Sequence, residues 1–317
     1  MKRFLLARGA SRYGGWSNIF KRHLQSNGFE GQVQLKHNFF ASKVAPKHKQ
    51  SPVLFIHGLL ASGRTYRSFV KRKDFVPDRE VYTIDLRNHG DSPHAQRMDI
   101  RTLASDVLAF LDGQELKQIS LIGHSLGGKV AMVLALEFPE RVKELVVLDM
   151  PPGKTTGKMR NVNSAIQAMY NVDFHGLGDQ RDVEQVLQRN GIEDRRLRRF
   201  LLTNLAGAKD DTDDQKLSWK VNIQSIQDSV DQLQSFPEFR TGTTYNKPAL
   251  FVFGSKSPLS TAKNEERIRR LFPQATVIEV AEAGHWLQDD EPKRTCEVVN
   301  SFLSEQGQQQ QCSGGDG

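Results

Sequence analysis

Short runs of apolar, strand-forming residues recur along the chain and end in glycine, aspartate or valine. Such continuous runs are typical of parallel strands that are buried on both faces of a sheet. A looser alternation over residues 33–40 predicts a further, early strand. The buried runs are PVLFIHG (52–58), VYTID (81–85), ISLIG (119–123), LVVLD (145–149), ALFVFG (249–254) and ATVIEV (275–280).

Segments with helical periodicity lie between these runs. The segment 126–138 is apolar on nearly all sides, as expected of a helix packed between other layers. Alternating strands and helices predict an α/β fold with a doubly wound, mostly parallel sheet and right-handed crossovers. The predicted helices are 100–111, 126–138, 261–272 and 292–303.

The alternation is interrupted over residues 151–247, where charged helical patterns occur without a buried-strand signal. We interpret this stretch as a helical lid inserted into a core formed by 30–150 and 248–304. Its basic run RRLRRFLL (195–202) is near the acidic run DDTDD (210–214), which favours a solvated helix face over a membrane or nucleic-acid patch. The glutamine- and glycine-rich stretch 305–317 is predicted to be a disordered tail.

The formal net charge of +7 comes almost entirely from the N-terminal residues. Residues 1–29 contain six Lys or Arg and no acidic residue; removing these six from 44 basic residues leaves 38 against 37 acidic ones. The charge therefore does not indicate a nucleic-acid partner. An arginine-rich, acid-free leader predicts a mitochondrial transit peptide and a matrix location, with a plastid signal or a disordered basic arm as alternatives.

Membrane spans and metal clusters are not indicated. No apolar run approaches the roughly 18 residues that a transmembrane helix needs. The two cysteines, Cys296 and Cys312, form no disulfide framework or metal-ligand pattern. We therefore expect no metal and no organic cofactor.

Candidate chemistry is concentrated in IGHSLGGK (122–129), where a serine in a G-x-S-x-G frame follows a strand and precedes a helix. This context predicts a nucleophile elbow, in which Gly123 and Gly127 must be small so that strand and helix can approach. Ser125 is the predicted nucleophile, and the Leu126 amide at the helix start is a predicted oxyanion donor. A chance G-x-S-x-G match is the alternative, but the flanking elements argue against it.

A second oxyanion donor and a base are predicted from two loops. In FIHGLLAS (55–62) the Leu59 amide follows a strand end, and His57 is expected to support the loop. In AEAGHWLQDDEP (281–292) His285 follows the last strand and is the predicted base, since a serine hydroxyl is a weak nucleophile without one. The remaining histidines lie too early, in a turn, in the insertion or in the elbow: His23, His37, His48, His89, His94, His175 and His124.

The acid is not where many enzymes of this architecture carry it. The loop GSKSPLS (254–260) contains no carboxylate, and Ser257 occupies the expected position. Asp149 ends the strand that follows the elbow helix, at the sheet edge where strand ends converge, so we predict that it orients His285. The alternative is that Asp149 only orders the start of the insertion. Asp85, with Arg87 and Asp91, is predicted mainly to order a loop.

These motifs resemble those of the alpha/beta hydrolase domain-containing protein 11 family, which includes bacterial acyl-ester hydrolases and fungal mitochondrial ethanol acetyltransferases. The resemblance covers about 34–302, is weak in the insertion, and departs at the second proline of DMPPG (149–153). It implies the alpha/beta-hydrolase fold, an acid at Asp149, serine at 257 as a family feature, and a mitochondrial location. The matching segments, in chain order, are HGLLAS, DLRNHGDSPH, GHSLGGKVAM, LVVLDMPP, GSKSP and AGHW.

The sequence therefore predicts a serine hydrolase that cleaves small acyl esters or thioesters through an acyl-enzyme. Transfer of the acyl group to an alcohol is the first alternative, because it uses the same machinery. A mitochondrial binding or protective protein on the same scaffold is a second, and a lyase is a third, since a fold does not fix a reaction. No protein partner is indicated.

Overall fold

A computed structural model describes residues 31–45, 50–155, 160–207 and 217–312. The predicted leader 1–29 and the acidic run 210–214 lie outside these residues, and so does 313–317 at the end of the predicted tail. Every buried-strand run in the sequence forms a strand of one sheet. The strands are β1 (His37–Phe40), β2 (Val53–Ile56), β3 (Val81–Ile84), β4 (Ile119–His124), β5 (Val142–Leu148), β8 (Ala249–Gly254) and β9 (Ala275–Val280).

The sheet has seven strands in the order β1-β3-β2-β4-β5-β8-β9. Only β1 is antiparallel to its neighbour, and all other pairs are parallel. The early strand is shorter than predicted, because the preceding backbone bonds to side chains instead: the Val33 amide donates to Asp106 and the Lys36 amide to Ser92. The order and directions confirm the predicted doubly wound, mostly parallel sheet.

Helices cover both faces of the sheet. One face packs against α2 (Ile100–Gly113), α3 (Leu126–Glu137) and α9 (Ala262–Leu271), and the other against α1 (Arg67–Val70) and the first part of α11 (Pro292–Cys312). The short helix α1 was not indicated by the sequence pattern. A further short helix, α10 (Leu287–Asp290), lies between β9 and α11.

The backbone of α11 continues to Cys312, which differs from the predicted disordered tail for residues 305–312. Glutamine is a good helix former, and this stretch has a single glycine and no proline, so the helix that starts at Pro292 can propagate through it.

In the described part of the chain, no helix is both long and apolar enough to cross a bilayer.

Between β5 and β8 the described residues form helices and one small β-ribbon. We refer to residues 151–247 as the insertion. It packs on the edge of the sheet where the parallel strands end, and its elements are α4 (Arg160–Tyr170), α5 (Gln180–Arg189), α6 (Arg195–Leu202), β6 (Leu205–Ala206), β7 (Ser218–Trp219), α7 (Ile223–Asp228) and α8 (Val230–Gln234). Its role as a lid, and its boundaries as a unit, stay predictions.

Candidate active site

Ser125 stands in the sharp turn between β4 and α3. Its backbone has φ 53° and ψ −118°, a strained left-handed conformation for a residue with a side chain. Three backbone hydrogen bonds hold it: its amide donates to the Leu148 carbonyl at 3.0 Å, and its carbonyl accepts from the amides of Gly128 at 2.9 Å and Lys129 at 3.2 Å. A Cβ on Gly123 would clash with the backbone of Gly127. The turn therefore requires glycine there, as the motif predicted.

His285 follows β9 in the loop before α10, and its imidazole lies between Ser125 and Asp149. Its Nε2 is 3.0 Å from the Ser125 hydroxyl oxygen, and its Nδ1 is 2.6 Å from Oδ2 of Asp149. Because a carboxylate only accepts hydrogen bonds, Nδ1 carries the proton and Nε2 is free to accept from the serine. Three side chains from distant parts of the chain thus form one chain of hydrogen bonds.

Asp149 is fully buried at the end of β5, with a left-handed φ of 48°. Its amide donates to the Val252 carbonyl at 2.8 Å, so the neighbouring strand β8 fixes its backbone. Its Oδ1 accepts from the Gly254 amide at 3.3 Å, and its Oδ2 accepts from the Ser257 hydroxyl at 2.7 Å as well as from His285. The serine found where an acid was expected is therefore a hydrogen-bond partner of that acid.

The Leu59 amide belongs to the loop that follows β2 and passes close to the serine. A Cβ on Gly58 would lie 3.2 Å from Cβ of Ser125, so the backbone of this loop is packed against the nucleophile. The amides on either side have protein acceptors, since Gly58 donates to the Tyr66 hydroxyl at 3.4 Å and Leu60 to Nε2 of His89 at 3.1 Å. Within the described residues, no protein acceptor is found for the Leu59 amide.

The Leu126 amide opens α3, and the first N–H groups of a helix have no carbonyl within the helix to bond. Residue 126 directly follows Ser125, so its N–H is next to the nucleophile. The positive end of the helix dipole adds to its attraction for an anion. The two amides predicted as oxyanion donors, at 59 and 126, therefore both lie beside the serine, and within the described residues neither has a protein acceptor.

Tyr66 and His124 link the oxyanion loop to the histidine loop, a connection that the sequence did not suggest. His124 Nε2 is 2.7 Å from the carbonyl of His285, and its Nδ1 is 2.7 Å from the Tyr66 hydroxyl. Since a carbonyl only accepts, Nε2 of His124 is the donor and Nδ1 accepts from the tyrosine. Desolvation by burial, followed by the charge of His285, lowers the pKa of His124 to about 3, so this ring stays neutral.

The remaining polar residues singled out in the sequence order loops around the site. His57 bonds the Gly58 carbonyl and the Leu86 amide, as expected of a loop support. Asp85 accepts from the amides of Gly63 and Asp91, which ties two loops together. Within the described residues, no group of three or more His, Cys, Asp or Glu side chains is arranged to hold a metal ion.

A cavity of about 360 Å³ opens above the serine and is bounded mainly by apolar side chains. Helices α4 and α6 of the insertion form one wall, and Trp286 forms part of another. The Trp286 ring contacts Phe200 with ring centroids 5.6 Å apart, and the guanidinium of Arg196 lies over the Trp286 ring, 4.9 Å from its centroid. The lining residues include Leu59, Leu60, Tyr66, Val162, Ala165, Leu197, Phe200, Leu201, Leu259 and Trp286.

Comparison with known proteins places this geometry in a family. Residues 51–292 match the family model described as alpha/beta hydrolase fold. The chain is 36% identical to the sn-1-specific diacylglycerol lipase ABHD11 of Danio rerio, over 81% of this chain and 80% of that protein. It is 29% identical to ethanol acetyltransferase 1 of Cyberlindnera jadinii, over 81% of each chain.

Among solved structures, a marine microorganism esterase superposes with a TM-score of 0.77 at 31% identity, covering 86% of this chain and all of that one. These findings confirm the resemblance noted in the sequence: the chain belongs to the alpha/beta hydrolase family, in the group that contains the ABHD11 proteins.

Proposed function

We propose that this protein is a serine hydrolase that cleaves acyl esters through an acyl-enzyme on Ser125. The observation that carries the proposal is the hydrogen-bond chain from Ser125 through His285 to the buried Asp149, placed at the floor of an apolar cavity. The lipase and esterase names of the relatives support ester hydrolysis as the reaction. The substrate is a small molecule with an acyl group, because the cavity is apolar and enclosed on several sides.

In the proposed mechanism the Ser125 oxygen attacks the carbonyl carbon of the ester while Nε2 of His285 takes the hydroxyl proton. Asp149 keeps the imidazole in the correct tautomer and stabilises the imidazolium. The amides of Leu59 and Leu126 donate to the oxyanion of the tetrahedral intermediate, an effect worth about 3–4 kcal/mol per donor. His285 then protonates the leaving alcohol, and water attacks the acyl-enzyme with the same proton transfers in reverse order.

Acylglycerol esters are the first substrates to test, because ABHD11 relatives are named as diacylglycerol lipases. Acyl thioesters are the second, since the same intermediate forms from either leaving group. The insertion supports the assignment of an acyl site, because it lines the cavity mainly with apolar side chains, such as Val162 and Leu197, and with Asp194 as its charged member. We infer that this insertion acts as the lid over the acyl chain.

Transfer of the acyl group to an alcohol is the alternative outcome of the same intermediate. The similarity to a fungal ethanol acetyltransferase supports testing it. The partition between hydrolysis and transfer depends on how far water is excluded from the acyl-enzyme. Adding ethanol to the assay and measuring the free carboxylic acid and the ethyl ester of the same acyl group directly separates the two reactions.

Residues 1–29 support a mitochondrial location, which we propose on their composition. They are rich in arginine and serine and lack acidic residues, as transit peptides do. A fusion of these residues to a fluorescent protein should enter mitochondria, and Arg-to-Glu substitutions in the leader should block entry. A cytosolic signal from the unmodified fusion would contradict the proposal.

The decisive experiment for the reaction is intact-mass labelling with a fluorophosphonate on wild type and Ser125→Ala. A single adduct on wild type alone, together with loss of ester hydrolysis in the variant, would support an activated Ser125. Absence of both labelling and hydrolysis in well-folded wild type would refute the proposed function. A binding or protective role without chemistry would instead be indicated if Ser125→Ala still rescued a deletion phenotype.

A further inference from the structure

Leu60 is the residue next to the proposed oxyanion donor, and its backbone is held in an unfavourable conformation. Its φ is 58°, in the left-handed region that favours glycine, although it carries a side chain that is 3% exposed. A leucine adopts this conformation only where the surrounding structure imposes it. We therefore asked which contacts hold the backbone of Leu60.

Both polar backbone atoms of Leu60 are bound by buried side chains from elsewhere in the chain. Its amide donates to Nε2 of His89 at 3.1 Å, and its carbonyl accepts from Nδ2 of Asn204 at 2.8 Å. His89 is fully buried and Asn204 is 3% exposed. Neither contact involves the nucleophile, the histidine base or the acid.

His89 is suited to accept a hydrogen bond because its tautomer is fixed. Its Nδ1 is 3.0 Å from the Arg87 carbonyl, which can only accept, so Nδ1 carries the proton and Nε2 has a free lone pair. Desolvation by burial, and then the nearby ring of His57, lower the pKa of His89 to about 3. The ring is therefore neutral at physiological pH and remains an acceptor for the Leu60 amide.

The peptide plane that contains the Leu59 amide is fixed on its other side by His57. The Gly58 carbonyl lies 2.7 Å from Nδ1 of His57, and a trans peptide points its N–H away from its C=O. With Gly58 held at its carbonyl and Leu60 held at its amide and carbonyl, the Leu59 amide between them has one orientation. Of the three amides of residues 58–60, that of Leu59 alone has no protein acceptor within the described part of the chain.

Asn204 belongs to the insertion, where it follows α6 and also donates to the Leu201 carbonyl at 3.1 Å. The insertion makes a second hydrogen bond near this site. Its Asn222 amide donates to the Asn88 carbonyl at 2.9 Å, one residue before His89. The insertion thus bonds both the oxyanion loop and the loop that carries His89.

We propose that His89 and Asn204 are positioning residues of the oxyanion hole, which hold Leu60 in its left-handed turn and so present the Leu59 amide to the developing oxyanion. The inference rests on the proposed function, since an oxyanion forms only if Ser125 attacks a carbonyl. Because Asn204 is part of the insertion, the oxyanion hole is complete only while the insertion is seated on the core.

The first test is Asn204→Asp, which keeps the size of the side chain but replaces the donor to Leu60 with a second acceptor. We expect kcat for a short acyl ester to fall by roughly tenfold to a hundredfold with little change in KM, as for a weakened oxyanion donor. Asn190→Asp is the matched control, because Asn190 also lies in the insertion and also donates to a backbone carbonyl, that of Ala168. The control should retain wild-type kcat.

His89 offers a conservative pair of variants. The side-chain oxygen of glutamine can replace Nε2 as the acceptor for the Leu60 amide, whereas leucine cannot accept. His89→Gln should therefore retain much more of kcat than His89→Leu. Equal losses in both variants would contradict a role through this hydrogen bond. If His89→Leu does not fold, the comparison of Asn204→Asp with its control still decides the matter.

A trifluoromethyl ketone inhibitor separates positioning from general stability. It forms a tetrahedral adduct with the serine, whose oxyanion occupies the hole, so its affinity should fall in Asn204→Asp by about the same factor as kcat/KM. A substrate-like ether in which a methylene replaces the ester carbonyl forms no adduct and should bind with unchanged affinity. Unchanged affinity for the trifluoromethyl ketone would overturn the proposal.

A double-mutant cycle with Leu60→Gly tests the backbone argument directly. Glycine adopts φ near 58° without being held, so the loss caused by Asn204→Asp should be several-fold smaller in the Leu60→Gly background. The same factor in both backgrounds would indicate that Asn204 acts elsewhere.

If wild type neither hydrolyses esters nor reacts with fluorophosphonate, the proposed function fails; if wild type is active and these variants match it, only this inference fails.

Discussion

The hydroxyl of Ser257 donates a hydrogen bond of 2.7 Å to Oδ2 of Asp149, the same carboxylate oxygen that lies 2.6 Å from Nδ1 of His285. Ser257 is itself fixed, because its hydroxyl oxygen accepts from the Leu259 amide at 3.2 Å. The loop that lacks a carboxylate therefore still takes part in the site: it orients the acid that β5 provides.

We predict that Ser257→Ala lowers kcat by roughly tenfold, because a hydrogen bond to a charged group is removed from a fully buried carboxylate. KM should change little, since Ser257 is not expected to contact the substrate. Ser260→Ala is the matched control, because its hydroxyl lies in the same loop but bonds the exposed Glu279. Steady-state hydrolysis of a short acyl ester checks the prediction, and equal activity of both variants would refute it.

Asp149→Asn should remove most turnover while preserving the fold. The amide has nearly the same shape but cannot hold the imidazole in the tautomer that accepts from Ser125, and the loss in related triads is on the order of 10⁴. Measurements of kcat together with the melting temperature check this. Near wild-type turnover in the folded variant would mean that another group orients His285.

An exchange of residues 149 and 257 tests whether the acid can be supplied by the loop after β8 instead of by β5. In Asp149→Ser/Ser257→Asp the carboxylate would stand on the loop after β8, beside the position it occupies now, and the serine on β5. We expect the double variant to recover roughly tenfold or more activity over Asp149→Ser alone, since the two positions are in direct contact and should couple. No recovery, with the melting temperature maintained, would show that only β5 can place the acid correctly.

His124 should affect the rate through the backbone of His285. In His124→Gln the side-chain amide can still donate to the His285 carbonyl, whereas His124→Leu leaves that carbonyl without its buried donor. We expect kcat to fall about tenfold or more in His124→Leu and to be largely kept in His124→Gln, with KM similar in both. If kcat in the two variants followed their melting temperatures and not the presence of the donor, His124 would not position His285.

Local motifs explain why much of the site could be predicted from the sequence. Glycine spacing identified the turn at Ser125, and the convergence of parallel strand ends indicated that Asp149 and His285 meet near it. The structure places these three side chains within hydrogen-bond distance. Their catalytic roles stay predictions until the variants are measured.

Other residues of the site have no local signal. Tyr66 is in no motif, and Asn204 reaches Leu60 across 144 positions of the chain. Such contacts depend on how the insertion packs on the core, which hydrophobic periodicity does not specify. The prediction for the tail was wrong over residues 305–312 although a local signal was present. The polar composition indicated disorder, but these residues also favour a helix, and α11 continues through them.

Lys129, four residues past the nucleophile on α3, is buried, and within the described residues its ammonium group bonds only to oxygen atoms of the insertion. Its Nζ lies 3.1 Å from the Thr155 hydroxyl and 3.2, 2.7 and 3.0 Å from the carbonyls of Leu233, Gln234 and Ser235. In the described part of the chain it has no carboxylate partner. The lysine thus joins both ends of the insertion to the elbow helix.

Desolvation by burial lowers the pKa of Lys129 from 10.5 to about 7. At pH values between 7 and 10.5 the lysine is protonated in the unfolded chain and neutral in the folded chain. The free energy of unfolding therefore increases with pH in this range, by up to about 1.4 kcal/mol per pH unit. Lys129→Met removes this dependence. The stability difference between wild type and Lys129→Met should therefore shift in favour of wild type from pH 7 to pH 9.5, as measured by urea unfolding.

The exposed Lys263 provides the control, because Lys263→Met removes one lysine of the chain without changing the interior. Its stability difference from wild type should be nearly constant over the same pH range. A constant difference for Lys129→Met as well would mean that the four oxygen acceptors keep the ammonium charged. The hydrogen bonds from Lys129 to the insertion would then be made by a permanently charged ammonium, and raising the pH would not weaken these bonds.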